Sequence, residues 1–101
     1  MRVSFTFRNL ESSEALKNYA NEKIAKLQKY LHAPLDAEII LSMERRLHRV
    51  DVSVLADGER YAGHEASDNM YASIDGVLDK LLRQVRDAKA VRAQHGRGDT
   101  K

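Results

Sequence analysis

Residues 68–86 read DNMYASIDGVLDKLLRQVR, and the spacing of their apolar side chains predicts one long amphipathic helix. At 100° per residue, Lys80, Arg83 and Arg86 fall together on one side of this helix. The apolar side chains fall on the other side and are expected to hold the helix against a sheet: Met70, Ile74, Val77, Leu78, Leu81, Val85 and Ala88.

Polar residues at the start of this helix are interpreted as structural. Ser67 or Asp68 is the expected N-cap, with Asp68 favoured. Asp75 lies in an early turn, where a carboxylate suits the helix dipole. Tyr71 borders the apolar stripe, which favours a ring at the edge of the core over a ring that stacks on a base.

The preceding part of the chain predicts a first helix and four strands. Ser12 or Ser13 caps a helix whose apolar spacing continues to Tyr30 or Leu31, and Pro34 prevents it from continuing. Alternation of apolar and polar residues predicts strands over four segments: residues 2–8, 38–44, 48–56 and, least clearly, 59–66.

The predicted order of elements is therefore β-α-β-β-β-α. Asp57-Gly58 predicts a hairpin, and the short links favour an antiparallel meander for the last three strands. The fold class is α+β: a two-layer sandwich of a four-stranded sheet with two helices packed on one face, like a double-stranded-RNA-binding domain. Residues 1–93 are expected to form the domain and residues 94–101 a short flexible tail, because Gly96 and Gly98 break a helix.

Composition argues against several classes of function. The 101-residue chain has no cysteine, which removes disulfides, thiolate nucleophiles and cysteine metal sites. It lacks the apolar block of a signal peptide and any run of membrane-spanning length, so a cytoplasmic protein is expected. No nucleophile or phosphate-loop motif occurs, so neither an enzyme nor a cofactor is expected. The histidines stand in four separate elements without metal-ligand spacing: His32, His48, His64 and His95.

Positive charge is concentrated near the C-terminal end. Residues 1–75 carry ten Lys and Arg against twelve Asp and Glu, whereas residues 76–101 carry seven against three. Lys89 and Arg92 return to the apolar side of the last helix, which predicts that its end projects past the sheet.

The first helix can add to this charge. Lys23 and Lys26 would extend the basic face of the last helix if the two helices lie side by side, and such a surface fits phosphates. An ordinary solvated helix face, and a snorkelling role for Lys23, are the alternatives.

The motif DNMYASID at residues 68–75, followed by DKLLRQ at residues 79–84, resembles the bacterial ribosome hibernation promoting factor and ribosome-associated inhibitor family, once described as sigma-54 modulation proteins. The resemblance covers residues 1–92. Asn69 intervenes where family members often have Asp directly before Met-Tyr, and Asp87 and Val91 dilute the family's lysine-rich helix end. The first helix matches through Glu14-Ala15-Leu16, Lys23, Lys26-Leu27 and Tyr30.

The resemblance implies a non-enzymatic protein that occupies the mRNA channel near the decoding centre of the small ribosomal subunit and silences translation in stationary phase. Since the chain ends at Lys101 without the dimerisation domain of the long form, the short form is expected. This form works with a separate ribosome modulation factor to pair 70S ribosomes into 100S dimers. The resemblance implies that 16S rRNA phosphates are contacted by Lys23, Lys26, Lys80, Arg83, Arg86, Lys89 and Arg92.

Two other classes of binding protein stay open. A protein-interaction module acting on a regulator such as a sigma factor would bind a protein partner in a salt-tolerant way. A stand-alone double-stranded-RNA binder would bind an isolated duplex across successive minor grooves. Binding to ribosomes that weakens steeply with salt would favour the first interpretation over both.

Overall fold

The computed structural model describes the backbone of residues 1–99 and the side chains of residues 1–90. It confirms the predicted order β-α-β-β-β-α. The elements are β1 (Arg2–Arg8), α1 (Glu14–Gln28), β2 (Asp36–Glu44), β3 (Leu47–Ala56), β4 (Glu59–Ser67) and α2 (Met70–Asp99).

The four strands form one mixed sheet in the order β1-β2-β3-β4. Strands β2, β3 and β4 form the predicted antiparallel meander. Strand β1 pairs with β2 in parallel, because α1 carries the chain back to the end at which β1 began. Asp57 and Gly58 form the predicted two-residue hairpin turn with φ of 54° and 75°, the positive values that such turns require.

Alternation along the strands separates the two faces of the sheet. One face, together with the apolar sides of both helices, encloses a single core that includes Ile24, Ile39, Leu41, Ile74 and Leu81. The other face, called the open face below, carries polar side chains such as Ser4, Thr6 and Glu38, all of which are exposed. This is the predicted two-layer sandwich with both helices on one face.

The ends of the first helix differ in how well they were predicted. Ser13 is the N-cap, and its hydroxyl accepts a hydrogen bond from the Leu16 amide at 3.2 Å. The helix ends at Gln28 rather than at Tyr30 or Leu31, because the amides of those two residues bond to carbonyls three positions back and tighten the last turn.

Two predictions about the last helix are wrong. The N-cap is Asn69, not Asp68 or Ser67, because the Asn69 side-chain oxygen accepts hydrogen bonds from the Tyr71 and Ala72 amides at 2.8 and 3.3 Å. The helix also continues through Gly96 and Gly98 to Asp99, since glycine lowers helix stability by only about 1 kcal/mol per residue. A flexible tail over residues 94–101 is not tested by this helix and stays a prediction.

Candidate nucleic-acid interface

Helices α1 and α2 lie side by side and run in the same direction. The hydroxyl of Tyr19 donates a hydrogen bond to an oxygen of Asp75 at 2.6 Å, and Lys23 Nζ lies 3.2 Å from the same oxygen. Lys23 follows Tyr19 by one turn on α1, and its ammonium also feels the charge of Asp79, one turn after Asp75. The sequence predicted a basic surface shared by both helices only if they lie side by side, and this condition is met.

Two tyrosines contact each other at this helix junction. The rings of Tyr19 and Tyr71 meet edge to face with centroids 5.0 Å apart, a favourable aromatic geometry. Tyr71 is 42% exposed and lies against Tyr19 at the edge of the core, as its position beside the apolar stripe suggested. The hydrogen bond to Asp75 raises the pKa of the Tyr19 hydroxyl.

Asp75 has a tertiary role that sequence reasoning missed. It was expected to act on the helix dipole, yet its carboxylate joins α2 to α1. The Tyr19 hydroxyl and, next among its partners, the Lys23 ammonium hold the pKa of Asp75 below its usual value. Lys23 Nζ also lies 5.4 Å from the centre of the Tyr19 ring, so a cation–π contact adds to its ion pair with Asp75.

Lys80 turns away from the outer side of α2. Its Nζ lies 2.9 Å from Glu65 Oε2 on β4 and 3.4 Å from the carbonyl oxygen of His64. The pKa of Glu65 is lowered, chiefly by the hydrogen bond from Lys80. A helical wheel placed Lys80 with Arg83 and Arg86, but its side chain turns toward edge strand β4, where these acceptors lie.

Lys89 remains attached to the fold, so the predicted projection of the helix past the sheet would begin after this residue and stays a prediction. Its Nζ contacts Asp57 Oδ2 at 2.9 Å, and the two side chains are only 23% and 8% exposed. Asp57 also accepts hydrogen bonds from the amides of His32 and Ala33 at 3.0 and 2.8 Å. The two amides and the lysine hold the pKa of Asp57 far below its usual range.

Three of the predicted RNA-contacting cations remain unpaired. Lys26, Arg83 and Arg86 are exposed, and none has a hydrogen-bond or ion-pair partner among the side chains of residues 1–90. We call these three residues the helical face. Arg83 and Arg86 line a shallow groove on the outer side of α2 together with Asp79 and Asp87. The helical face is therefore mainly basic, with two carboxylates among its cations.

The remaining predicted contact, Arg92, lies outside the residues whose side chains the structure describes. Lys23, Lys80 and Lys89 each have a carboxylate partner, so each would have to exchange it to meet a phosphate. The two helices thus carry cations of two kinds: the free cations of the helical face and the lysines that are paired with carboxylates.

Other kinds of site receive no support within the described residues. No group of three or more His, Asp or Glu side chains comes together there in a way that could hold a metal ion. No helix within the same residues combines the length and apolar character needed to span a membrane. What the arrangement offers is a rigid surface of fixed cations, which can bind an array of negative charges.

The fold and these cations define a class: a small α+β module with a basic face carried by two parallel helices. The family model described as "Sigma 54 modulation protein / S30EA ribosomal protein" matches residues 3–92. The chain therefore belongs to this family, as the motif at residues 68–84 indicated.

Similar curated proteins bear one name. The Ribosome hibernation promoting factor of Escherichia coli K12 is 36% identical over 96 residues, which span 94% of this chain and 100% of that protein. The protein of the same name from Azotobacter vinelandii is 26% identical over 98 residues, covering 97% of this chain and 92% of the relative. The match to these relatives is therefore nearly end to end.

Two solved structures share the fold. The N-terminal domain of Thermus thermophilus Protein Y superposes with a TM-score of 0.80 and 30% identity, covering 86% of this chain and 98% of that one. A ribosomal subunit interface protein from Coxiella burnetii superposes with a TM-score of 0.75 and 24% identity, covering 89% and 99%. The order of elements predicted from sequence is thus the order of this fold family.

Proposed function

We propose that this chain is a non-enzymatic ribosome-binding silencer of translation that occupies the mRNA channel and decoding region of the small subunit. The observation that carries the proposal is the family match over residues 3–92, with relatives named ribosome hibernation promoting factor aligned along their whole length. The protein acts in the cytoplasm, where ribosomes work, and needs no cofactor.

The helical face supplies the binding mechanism. Lys26, Arg83 and Arg86 meet phosphates of 16S rRNA, and each phosphate that is neutralised releases condensed counterions. Because the helices are joined through Asp75 and packed on one core, these cations are held on a rigid support. Occupation of the channel by the folded domain then excludes mRNA and tRNA without any chemical step.

The paired cations act in a second stage of the same binding event. Lys23 lies between the two helices and Lys80 lies beside β4, and they can exchange Asp75 and Glu65 for phosphate once the helical face has docked. Lys89 would have to leave Asp57, which is the least exposed of the three carboxylates that pair with these lysines. Arg92 lies further along the same helix. We therefore rank Lys89 below the other predicted contacts.

Charge reversal on the helical face tests the proposal against a matched control. The variant Arg83→Glu, Arg86→Glu should bind purified bacterial 30S subunits at least about 25-fold more weakly at 0.1 M salt, because each lost phosphate contact removes a factor of about five to eight. The control Arg2→Glu, Arg60→Glu makes the same charge change on the open face, where these arginines share a row of the sheet, and should bind like the wild type. Equal binding by all three proteins in a sedimentation assay would sink the proposed face.

Promotion of 100S dimers together with a separate ribosome modulation factor is the second part of the proposal. A deletion strain should lose its 100S peak in stationary-phase sucrose gradients and regain it with the wild-type gene, but not with the Arg83→Glu, Arg86→Glu variant. Retention of the 100S peak in the deletion strain would contradict the proposed role in dimer formation, but it would not contradict the proposed ribosome binding.

The family description also names sigma-54 modulation, which keeps a protein-interaction role as the alternative function. That role predicts capture of a sigma factor from lysate with little dependence on salt, and no binding to ribosomes. A pull-down at 0.1 and 0.5 M salt separates the two, because binding through phosphates weakens steeply over such a range.

A further inference from the structure

The β2–β3 hairpin ends in two consecutive arginines that the proposed function does not use. Glu44 pairs with Leu47 across the hairpin, so Arg45 and Arg46 alone form its turn. Both side chains are exposed, and neither has a hydrogen-bond or ion-pair partner in the part of the chain whose side chains are described. Leu47 beside them is 49% exposed. The tip therefore presents two free guanidinium groups to solvent.

This lack of partners distinguishes the tip from most of the strand arginines on the open face. Three of the four strand arginines on the open face are held by acceptors at ordinary hydrogen-bond distances, and Arg8 at the end of β1 is the exception. The pairs are Arg2 with Asp36 at 2.8 Å, Arg49 with Asp51 at 3.0 Å and Arg60 with Ser53 at 2.9 Å. Most arginines of the solvated strand surface are thus paired, whereas both arginines of the tip are free.

The backbone at the tip argues that Arg45 is not there for stability. Its φ is 59°, in the left-handed region where the Cβ of most residues is crowded and where glycine is favoured in two-residue hairpins. Within residues 1–99, the other non-glycine residues with positive φ are Asn9 and Asp57, whose side chains tolerate this region well. Arginine at such a position costs folding energy and needs a reason outside the fold.

The surrounding charges leave the tip positive. Arg8 lies in the same row of the open face as Ser42 and Arg49, the third pair back from the turn. The carboxylate of Glu44 acts on Arg49 from this face. This end of the sheet holds Arg8, Arg45, Arg46 and Arg49 against Glu44 and Asp51.

We propose that the Arg45–Arg46 hairpin tip is a second contact to RNA phosphates, separate from the helical face. The proposal rests on the proposed function, because it assigns a further part of the ribosome's RNA to the same protein. Adjacent exposed guanidinium groups on a rigid turn can each make two parallel hydrogen bonds to a phosphate.

The two contacts are too far apart to share one phosphate. Ser73 Oγ bonds to the His48 carbonyl at 2.7 Å, which places the first turn of α2 level with the start of β3. Arg83 lies ten residues further along α2, about 15 Å away. The tip lies two to three residues beyond His48 in the opposite direction, about 7–10 Å away. Two separate segments of RNA backbone would therefore be bound, on the order of 25 Å apart.

Replacement of Arg45 by glycine gives a test in which stability and binding move in opposite directions. Arg45→Gly should melt at a higher temperature than the wild type, because it relieves the positive-φ position. It should bind purified 30S subunits about five- to eightfold more weakly at 0.1 M salt, with a log–log salt slope smaller by about 0.7–0.9. The double variant Arg45→Gly, Arg46→Gln should lose about 25- to 60-fold.

Matched variants separate failure of this proposal from failure of the proposed function. Arg2→Gln, Arg60→Gln should keep wild-type affinity. If Arg83→Glu, Arg86→Glu loses binding while Arg45→Gly gains stability and binds normally, the tip is not a contact and the proposed function stands. If the wild type itself does not bind 30S subunits, both proposals fall.

The chemistry of the partner is checked independently. A photo-cross-linking residue at position 47 should give adducts to ribosomal RNA. Adducts to ribosomal protein alone, or loss of affinity with an unchanged salt slope, would overturn the assignment to phosphates.

Discussion

The hydroxyl of Tyr19 on α1 donates a hydrogen bond of 2.6 Å to Asp75 on α2, and this carboxylate also faces Lys23 at 3.2 Å. One side chain therefore joins the two helices and neutralises a cation that the proposed function assigns to RNA. Structural support and binding compete for the same group, which makes the contribution of Lys23 adjustable by mutation.

Asp75→Asn should increase affinity for ribosomes. The amide keeps an oxygen for the Tyr19 hydroxyl but removes the charge that holds Lys23, so one more phosphate contact becomes available. We expect affinity up to about five- to eightfold higher at 0.1 M salt and a steeper salt dependence. Because the pair is partly exposed, the free energy of unfolding should fall by about 1 kcal/mol or less.

Asp87→Asn is the control for Asp75→Asn, because it removes the same charge from the same helix without an ion-pair partner to release. Filter binding of both variants over a salt series provides the comparison. Equal gains from the two would show that Lys23 was not withheld by Asp75.

Asn69→Ala should destabilise the protein by about 1 kcal/mol, within the range of roughly 0.5–2 kcal/mol for loss of an N-cap. The side chain of Asn69 satisfies the Tyr71 and Ala72 amides, which would otherwise lack partners at the helix start. Asp68→Ala, one residue earlier, should change stability little. Urea unfolding of both variants measures the difference, and a larger loss for Asp68→Ala would reverse the assignment of the cap.

Asp57→Asn should remove part of the acid sensitivity of the fold. The folded-state pKa of Asp57 is depressed by the His32 and Ala33 amides and then by Lys89. The contribution of Asp57 to the free energy of unfolding is therefore fully present above the unfolded-state pKa of about 3.9. It is lost as the pH falls toward and through the folded-state pKa. The wild type should lose more stability than Asp57→Asn between about pH 5 and pH 2.

The matched control for Asp57→Asn is Asp68→Asn, since Asp68 is exposed and has no partner in the described part of the chain. Urea midpoints are compared at pH 7, 4 and 2.5 for the three proteins. Parallel losses in all of them would mean that Asp57 does not couple protonation to folding.

The sequence was sufficient to predict which face of each helix and strand is buried. It was not sufficient to predict which side chains from different elements pair with each other. Alternation at β2 and β3 and the stripe of α2 each follow from the need to bury one face, so the strands, α1 and the start of α2 were predicted within a few residues. A helical wheel gives the direction of Lys80 and Lys89 but not the neighbour that lies there. Glu65 and Asp57 come from β4 and a distant turn, and only the assembled sheet brings them to α2.

The candidate site shows the same limit. Arg83 and Arg86 point outward as predicted, since nothing in the described fold meets that side of α2. Asp57 was interpreted only as a turn residue, because its three hydrogen-bond donors come from the α1–β2 loop and α2. The cap at Asn69 was missed because Ser67, Asp68 and Asn69 are all good N-caps, and the choice among them depends on where β4 ends.

The carboxylates that hold Lys23 and Lys80 act as competitors for any anion that approaches the helices. A mobile single strand of RNA brings its phosphates one at a time, and each must displace Asp75 or Glu65 while the strand loses conformational freedom. A folded RNA surface presents several phosphates at fixed positions and can displace both carboxylates in one docking event. Under the proposed function, the internal pairs should therefore favour binding to ordered RNA over binding to unstructured transcripts.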